Sequence, residues 1–331
     1  GHEMASSEVR RTSFARHLAS GRDDLVPNDV LLHNNSIMRA VDQIAKGAGR
    51  LGLPRYSSKR SKHVYTQHQL LVLVALRQML SRSYRDLVDV VSLMTPLLRR
   101  LRLDRMPHFT TLHKFSLRLE THTLDGLLFT LASSIVDGRI DAVVDSTGMQ
   151  SGSASYYYIR TMSLRRDSEG TELRAVRQHI KLTLVVDSRT LMIVSMLTTP
   201  GPGADADKLR PALEKAVEHG ARIGTVIGDK GYDSESNRRF VVHELGAEAH
   251  IPLRTVKRTA ENSQGFYRRR QLRVFDEARY RRRALVETVN SMLKRLSAVV
   301  RTRSERGQYA ELALRAVAHN AGRAALLASG G

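Results

Sequence analysis

Residues 179–199 read HIKLTLVVDSRTLMIVSMLTT. Two apolar, β-branched runs of strand length flank the turn residues DSRT, a pattern that predicts a β-hairpin. Upstream, RIDAVVDST (139–147) is a third run of the same kind. Downstream, PGPGADADKLRPALEKAVEHG (200–220) predicts a loop, a cap at Asp205 or Asp207, and a helix closed by Gly220. IGTVIGDKGY (223–232) predicts a fourth strand, SESNRRFVVHELG (234–246) a helix ending at Gly246, and AEAHIPLR (247–254) a fifth strand. A long helix starts near Asp276. The order βββαβαβα predicts an α/β fold: a mixed five-stranded sheet with flanking helices, spanning 136–331.

The pattern differs on the N-terminal side. Residues 1–65 are polar, basic and weakly periodic, and predict an extended or partly helical arm; residues 1–3, ahead of Met4, read as a cloning remnant. From Thr66 to about residue 135 the apolar spacing turns helical. Ser83 and Thr110 are the expected N-caps of two of these helices. This all-helical domain is a candidate for DNA binding or dimerisation, and the short helix after Pro107 is a candidate base reader. Helices that only pack together are the competing reading.

The 331 residues carry a formal charge of +20, with 43 arginines against 10 lysines. Such an excess favours a polyanionic partner, since each phosphate neutralised releases counterions; an arginine-rich proteome is the plain alternative. No membrane span is expected: the longest unbroken apolar run is Leu70–Leu76, far short of the roughly 20 residues required. The expected compartment is the cytoplasm. There is no cysteine, so no disulfide or thiolate metal site. The thirteen histidines form no HExxH or HxH pattern, and no zinc site is expected.

The strongest chemical signal lies in YRRRALVETVNSMLKRLSAVV (280–300). At 100° per residue, Tyr280 falls about 20° from Glu287, Arg283 about 40° to the other side, and Lys294 about 20° on that side. Leu285, Val289, Met292, Leu296 and Val299 fall on the opposite face and predict a core stripe. A solvated face with scattered charge is the ordinary reading of such a helix. Two aspartates change the balance. Asp145 ends the run AVV of the first strand, and Asp229 closes TVIG of the fourth. A carboxylate at the buried end of a strand costs several kcal/mol unless it is paired or ligated. In this topology the first and fourth strands can be neighbours. With Glu287, the aspartates make an all-oxygen donor set suited to Mg²⁺ or Mn²⁺, and two such ions about 4 Å apart suit phosphodiester chemistry. Asp141 and Asp233 compete for these roles; Asp233 can equally cap the helix at Ser236.

These motifs resemble the catalytic core of insertion-sequence DDE transposases, families four and five. Tyr280, Arg283, Glu287 and Lys294 reproduce their Y-x2-R-x3-E-x6-K spacing. VVDSTG around Asp145 and GDKGYDS around Asp229 look like the two aspartate motifs of the family-five branch, and the helical region before them is also similar. The resemblance spans about 66–325 and implies an RNase H-like, retroviral-integrase-like sheet. It implies that Asp145, Asp229 and Glu287 are the catalytic, metal-binding triad, holding two Mg²⁺ ions that Mn²⁺ can replace. It further implies that Tyr280, Arg283 and Lys294 contact DNA beside the scissile phosphate. The partners it implies are transposon inverted-repeat ends and target DNA, bound by a homodimer at a prokaryotic nucleoid. The chain has no tryptophan, whereas some family-four enzymes use one for a flipped base during hairpin formation.

A basic stretch fits the same picture. From Arg254 to Arg306 there are sixteen Lys or Arg against five Asp or Glu. The segment 254–283, with Arg268, Arg269, Arg270, Arg281 and Arg282, is expected to line a DNA channel together with Lys230. Tyr156–Tyr158 with Arg160, Arg165 and Arg166 suggest a second contact loop. Two other functions stay open: a structure-specific nuclease on the same fold, and a domesticated, sequence-specific DNA-binding regulator.

Overall fold

Strand β1 (Ile140–Ser151) organises the sheet, because every later strand is placed by its pairing with β1 or with a neighbour of β1. The computed structural model describes residues 35–60, 62–152, 179–201, 203–254, 265–297 and 299–328. The first half of the arm, the Tyr156–Tyr158 loop with Arg160, Arg165 and Arg166, and residues 255–264 of the expected channel lie outside the described residues.

The hairpin forms as predicted: β2 (His179–Asp187) pairs antiparallel with β1 and with β3 (Ile193–Pro200). On the other side, β4 (Ile223–Gly228) and β5 (Glu248–His250) run parallel to β1, giving the order β3-β2-β1-β4-β5. The first and fourth strands are therefore adjacent. A sixth strand, β6 (Val299–Val300), pairs with Gln150 and Ser151. Val299 was expected on a helix; instead the helix stops at Leu296 and Ser297 is extended. The reason is the length of β1, whose outer half runs well past Asp145 and presents backbone groups that β6 partly satisfies.

Helices cover both faces. N-terminally these are α1 (Ser36–Arg50), α2 (Gln67–Met79), α3 (Tyr84–Ser92), α4 (Thr95–Arg100), α5 (Phe109–Arg118) and α6 (Thr121–Ser133). Then come α7 (Ala206–Glu218), α8 (Glu235–Arg239), α9 (Phe266–Val274), α10 (Glu277–Tyr280), α11 (Ala284–Leu296) and α12 (Glu305–Leu327). Ser83 caps α3 in a capping box with Asp86, as expected. Thr110 does not cap α5, whose N-cap lies two residues earlier, at His108. Asp205 occupies the N-cap position of α7 without a capping bond and pairs with Lys181 instead. Gly220 and Gly246 take the positive φ expected of helix-ending glycines.

Part of the arm is ordered helix. Asn35 caps α1, which buries Met38, Val41, Ile44 and Ala48 against the core. That stripe is narrow and ends in alanine, so the sequence pattern is weak. The hub is α12, buried on nearly all sides through ELALRAVAHNA and packed on α1, α2, α6 and β3. Its alanines let those helices approach closely. One apolar core joins α1–α6, α11, α12 and one sheet face, that of Val143 and Ile227. A second core joins the opposite face, that of Ala142, Val144 and Val226, to α7.

Candidate active site

Alternation along the strands places the carboxylates. Val143 and Ile227 face α11, so two residues on, Asp145 and Asp229 face the same way. The last ladder pair of β1 and β4 is Val144 with Gly228, and the aspartates stand one step beyond it, side by side. Asp229 ends its strand by accepting a hydrogen bond from the Lys230 backbone N–H at 2.7 Å, capping a short 3-10 turn. Helix α11 crosses above β1 and buries Val286, Val289, Asn290 and Leu293. The expected stripe of Leu285, Val289, Met292 and Leu296 is thus rotated toward Asn290. Only Val289 of that set is fully buried, because the helix packs on a sheet edge that ends in carboxylates and needs a polar residue there.

Burial raises the Asp145 carboxyl to about 6; Arg283 opposes the rise, while the charges of Asp229 and Glu287 add to it. Asn290 Nδ2 donates to Asp145 Oδ2 at 3.0 Å. The neighbouring Ser146 hydroxyl lies 2.8 Å from both the Thr183 and Tyr232 hydroxyls and ties β1 to β2 and to the turn after β4. Tyr232 is buried beneath this network. Sequence reasoning missed Asn290, Ser146 and Tyr232; Asn290 follows Glu287 by one helical turn, and that spacing was its only signal.

Glu287 does not complete a closed cage with the aspartates. Its Oε1 accepts from Arg283 Nη2 at 2.8 Å, and the side chain is 56% exposed. Among the described residues, no group of three or more acidic or imidazole side chains is set to hold a metal ion. The donor chemistry nonetheless fits a hard divalent cation. Three carboxylates share one electrostatic neighbourhood, and the most buried of them resists ionisation, a strain that a cation relieves.

The competing carboxylates are committed elsewhere. Asp141 pairs with Arg282 at 2.7 Å. Asp233 is fully buried between Arg238 (2.9 Å) and Arg268 (2.7 Å) and also accepts from the Arg254 backbone N–H. It does not cap α8; Ser234 does. Of the expected DNA contacts, Arg268 and Arg282 are engaged in ion pairs with Asp233 and Asp141, and Arg283 with Glu287. Lys230, Arg269, Arg270, Arg281 and Lys294 are exposed, and Tyr280 is half-buried against Phe275. Burial raises the Tyr280 phenol above its usual range, against the pull of Arg283. The buried Arg238, held by Asp233, Gln271 and the Ile251 carbonyl, was not foreseen.

Residues 138–321 match the family described as the transposase DDE domain. Among solved structures, the chain is similar to the piggyBac transposase of a cryo-EM synaptic complex with hairpin DNA. The identity is 11% and the TM-score 0.44, over 92% of this chain and 77% of that one. No curated protein matches. No described helix is long and apolar enough to cross a membrane.

Proposed function

The chain belongs to the transposase DDE domain family, and from that premise we propose that it is an insertion-sequence DNA transposase of the Y-x2-R-x3-E-x6-K subclass. In this reading it binds the inverted ends of its element, cleaves them and joins the freed 3′-hydroxyl to target DNA. The observation that carries the reading is the parallel register of β1 and β4, which leaves Asp145 and Asp229 one residue beyond the Val144–Gly228 pair, beside the helix that bears Glu287. The order β3-β2-β1-β4-β5 supports an RNase H-like core.

Asp145, Asp229 and Glu287 would hold Mg²⁺, with Mn²⁺ as a substitute. Bound divalent ions supply charge stabilisation and an activated oxygen nucleophile for displacement at phosphorus. The rest falls to the chain's own groups. Asn290 and the backbone N–H of Ser146 orient Asp145. Arg283 restrains Glu287 until a phosphodiester competes for the guanidinium, which binds phosphate oxygens as readily as a carboxylate. Exposed Lys294, on the arc of Glu287, and Arg281, Arg269, Arg270 and Lys230 track the DNA backbone. The helical region 66–135 contributes DNA contacts or the interface of a homodimer holding two ends.

Asp145→Asn, Asp229→Asn and Glu287→Gln are each expected to abolish Mg²⁺-dependent nicking of supercoiled plasmid while duplex binding persists. Undiminished nicking by any one of the three refutes the assignment.

A further inference from the structure

A polar cavity lined by none of Asp145, Asp229 and Glu287 lies between the end of α2, the start of α3, α5, α12 and the chain between β6 and α12. It encloses about 400 Å³. Its lining includes Arg77, Gln78, Tyr84, Arg301, Arg303 and Glu311. Gln78 is only 5% exposed, and its amide nitrogen has no hydrogen-bond partner among the described residues. Arg77 Nε, one residue before it, is likewise buried without a partner. The Arg77 guanidinium stacks on the Tyr84 ring at 4.2 Å, which holds it in place. Both residues line the cavity, while the two unpartnered nitrogens themselves are closed off from solvent behind its wall.

The charges there sum in favour of an anion. Glu311 is the lining carboxylate, and it is fully engaged: it accepts from the backbone N–H groups of Arg301 and Thr302, from the Thr302 hydroxyl, and from buried Arg315 at 2.6 Å. Asp86, the other nearby carboxylate, accepts from Ser83 and also feels Arg301. Exposed Arg301 and Arg303 are left at the mouth of the cavity. The three arginines of the lining outnumber its one, engaged carboxylate, a balance that matches a phosphate group.

The position selects the source of that phosphate. Ser81, two residues before Ser83 of the lining, donates to the carbonyl of Leu296 at the end of α11. Glu287 and Leu296 lie about 14 Å apart along that helix, about four nucleotide steps of a duplex strand. We propose that the Arg77–Gln78–Arg301–Arg303 cavity is a binding site for a backbone phosphate of the DNA, a few nucleotides from the bond that is cleaved. This rests on the transposase reading and adds an anchoring site outside the catalytic face.

Fluorescence anisotropy of a labelled DNA duplex against salt concentration tests the proposal on the full chain. Arg301→Gln/Arg303→Gln is expected to weaken binding and reduce the slope of log affinity on log salt by about 0.9, the value of one phosphate. Gln78→Glu, which keeps the acceptor used by Arg315 and adds a negative charge to the lining, is expected to weaken binding; its melting temperature is measured alongside, because the position is buried. If that variant does not fold, the exposed arginine pair decides. Arg222→Gln, just before β4, is the control for a surface charge removed elsewhere and should leave the slope unaltered. A slope for the arginine pair equal to that of the control overturns the inference and leaves the transposase reading intact. So does a melting-temperature rise with inorganic phosphate that is lost in the arginine pair while duplex binding is unchanged, since the site would then take the free anion. Failure of the unmodified protein to bind any duplex overturns both.

Discussion

Asp145 stands on a buried sheet face with two further carboxylates near it and one arginine to offset them. Part of its cost was legible in the sequence, because an aspartate ending an apolar strand run needs a partner. Asn290 was not, since its contact with Asp145 depends on how α11 is rotated about its axis, and it stands about 60° from Glu287, just outside the charged arc. Asn290→Ala is expected to lower the plasmid nicking rate by about 10–100-fold, the usual effect of removing a group that orients a ligating carboxylate, and to raise the Mg²⁺ concentration needed for half-maximal rate. An unchanged Mg²⁺ titration would remove Asn290 from the site. Asp145→Asn relieves repulsion among the carboxylates, so in metal-free buffer the variant should melt higher than the parent, by on the order of 2 °C. A lower melting temperature there would mean that Arg283 outweighs the burial and repulsion.

At the scale of elements, the joint between α8 and α9 shows how tertiary contacts redirect a basic segment. The Glu235 carboxylate accepts from the backbone N–H groups of Tyr267 and Arg268 and caps α9 from another helix. Gly265 makes room for it with φ +100°, where a Cβ would come within 2.3 Å of that carboxylate. Asp233 then takes Arg268 and Arg238, leaving Arg269 and Arg270 outward. Burial alone would raise the Asp233 carboxyl. The Arg254 N–H and the two guanidinium groups more than compensate and hold it below the usual carboxylate range. A depressed folded-state pKa stabilises the protein above the unfolded value, about 3.9, and the contribution is lost as pH falls further. Asp233→Asn strands two arginines in the interior and should cost about 3–5 kcal/mol at neutral pH. By urea denaturation, the gap between parent and variant should narrow below about pH 4. Equal stability at neutral pH would contradict this account.

The whole molecule is arranged around α12. The N-terminal helices and one sheet face share a core that this helix completes, and its buried polar groups lock the parts together. Asn320 bonds the backbone of Ile193 in β3 and the carbonyl of Leu128 in α6, while Lys215 of α7 pairs with Asp125 of α6 and bonds Tyr309 of α12. Residues 36–135 produced alone should therefore lack a cooperative thermal transition by circular dichroism, since Leu71, Leu76 and Leu127 would lose their cover. A sharp transition would show that these helices form an independent unit.

Periodicity and strand composition by themselves determined the sheet's five main strands, their order in the chain and the two aspartates that close the runs beside the helix of Glu287. These are local properties: an apolar run of a given period buries one face, and an acid at its end marks the edge of that burial. Only the tertiary structure decided which arginines remain available, where the short strand β6 goes, and that Glu287 is bound to Arg283 rather than joined to the aspartates. Charge pairs and helix rotation are set by neighbours distant in the chain, and a residue's own surroundings in the sequence carry no record of them.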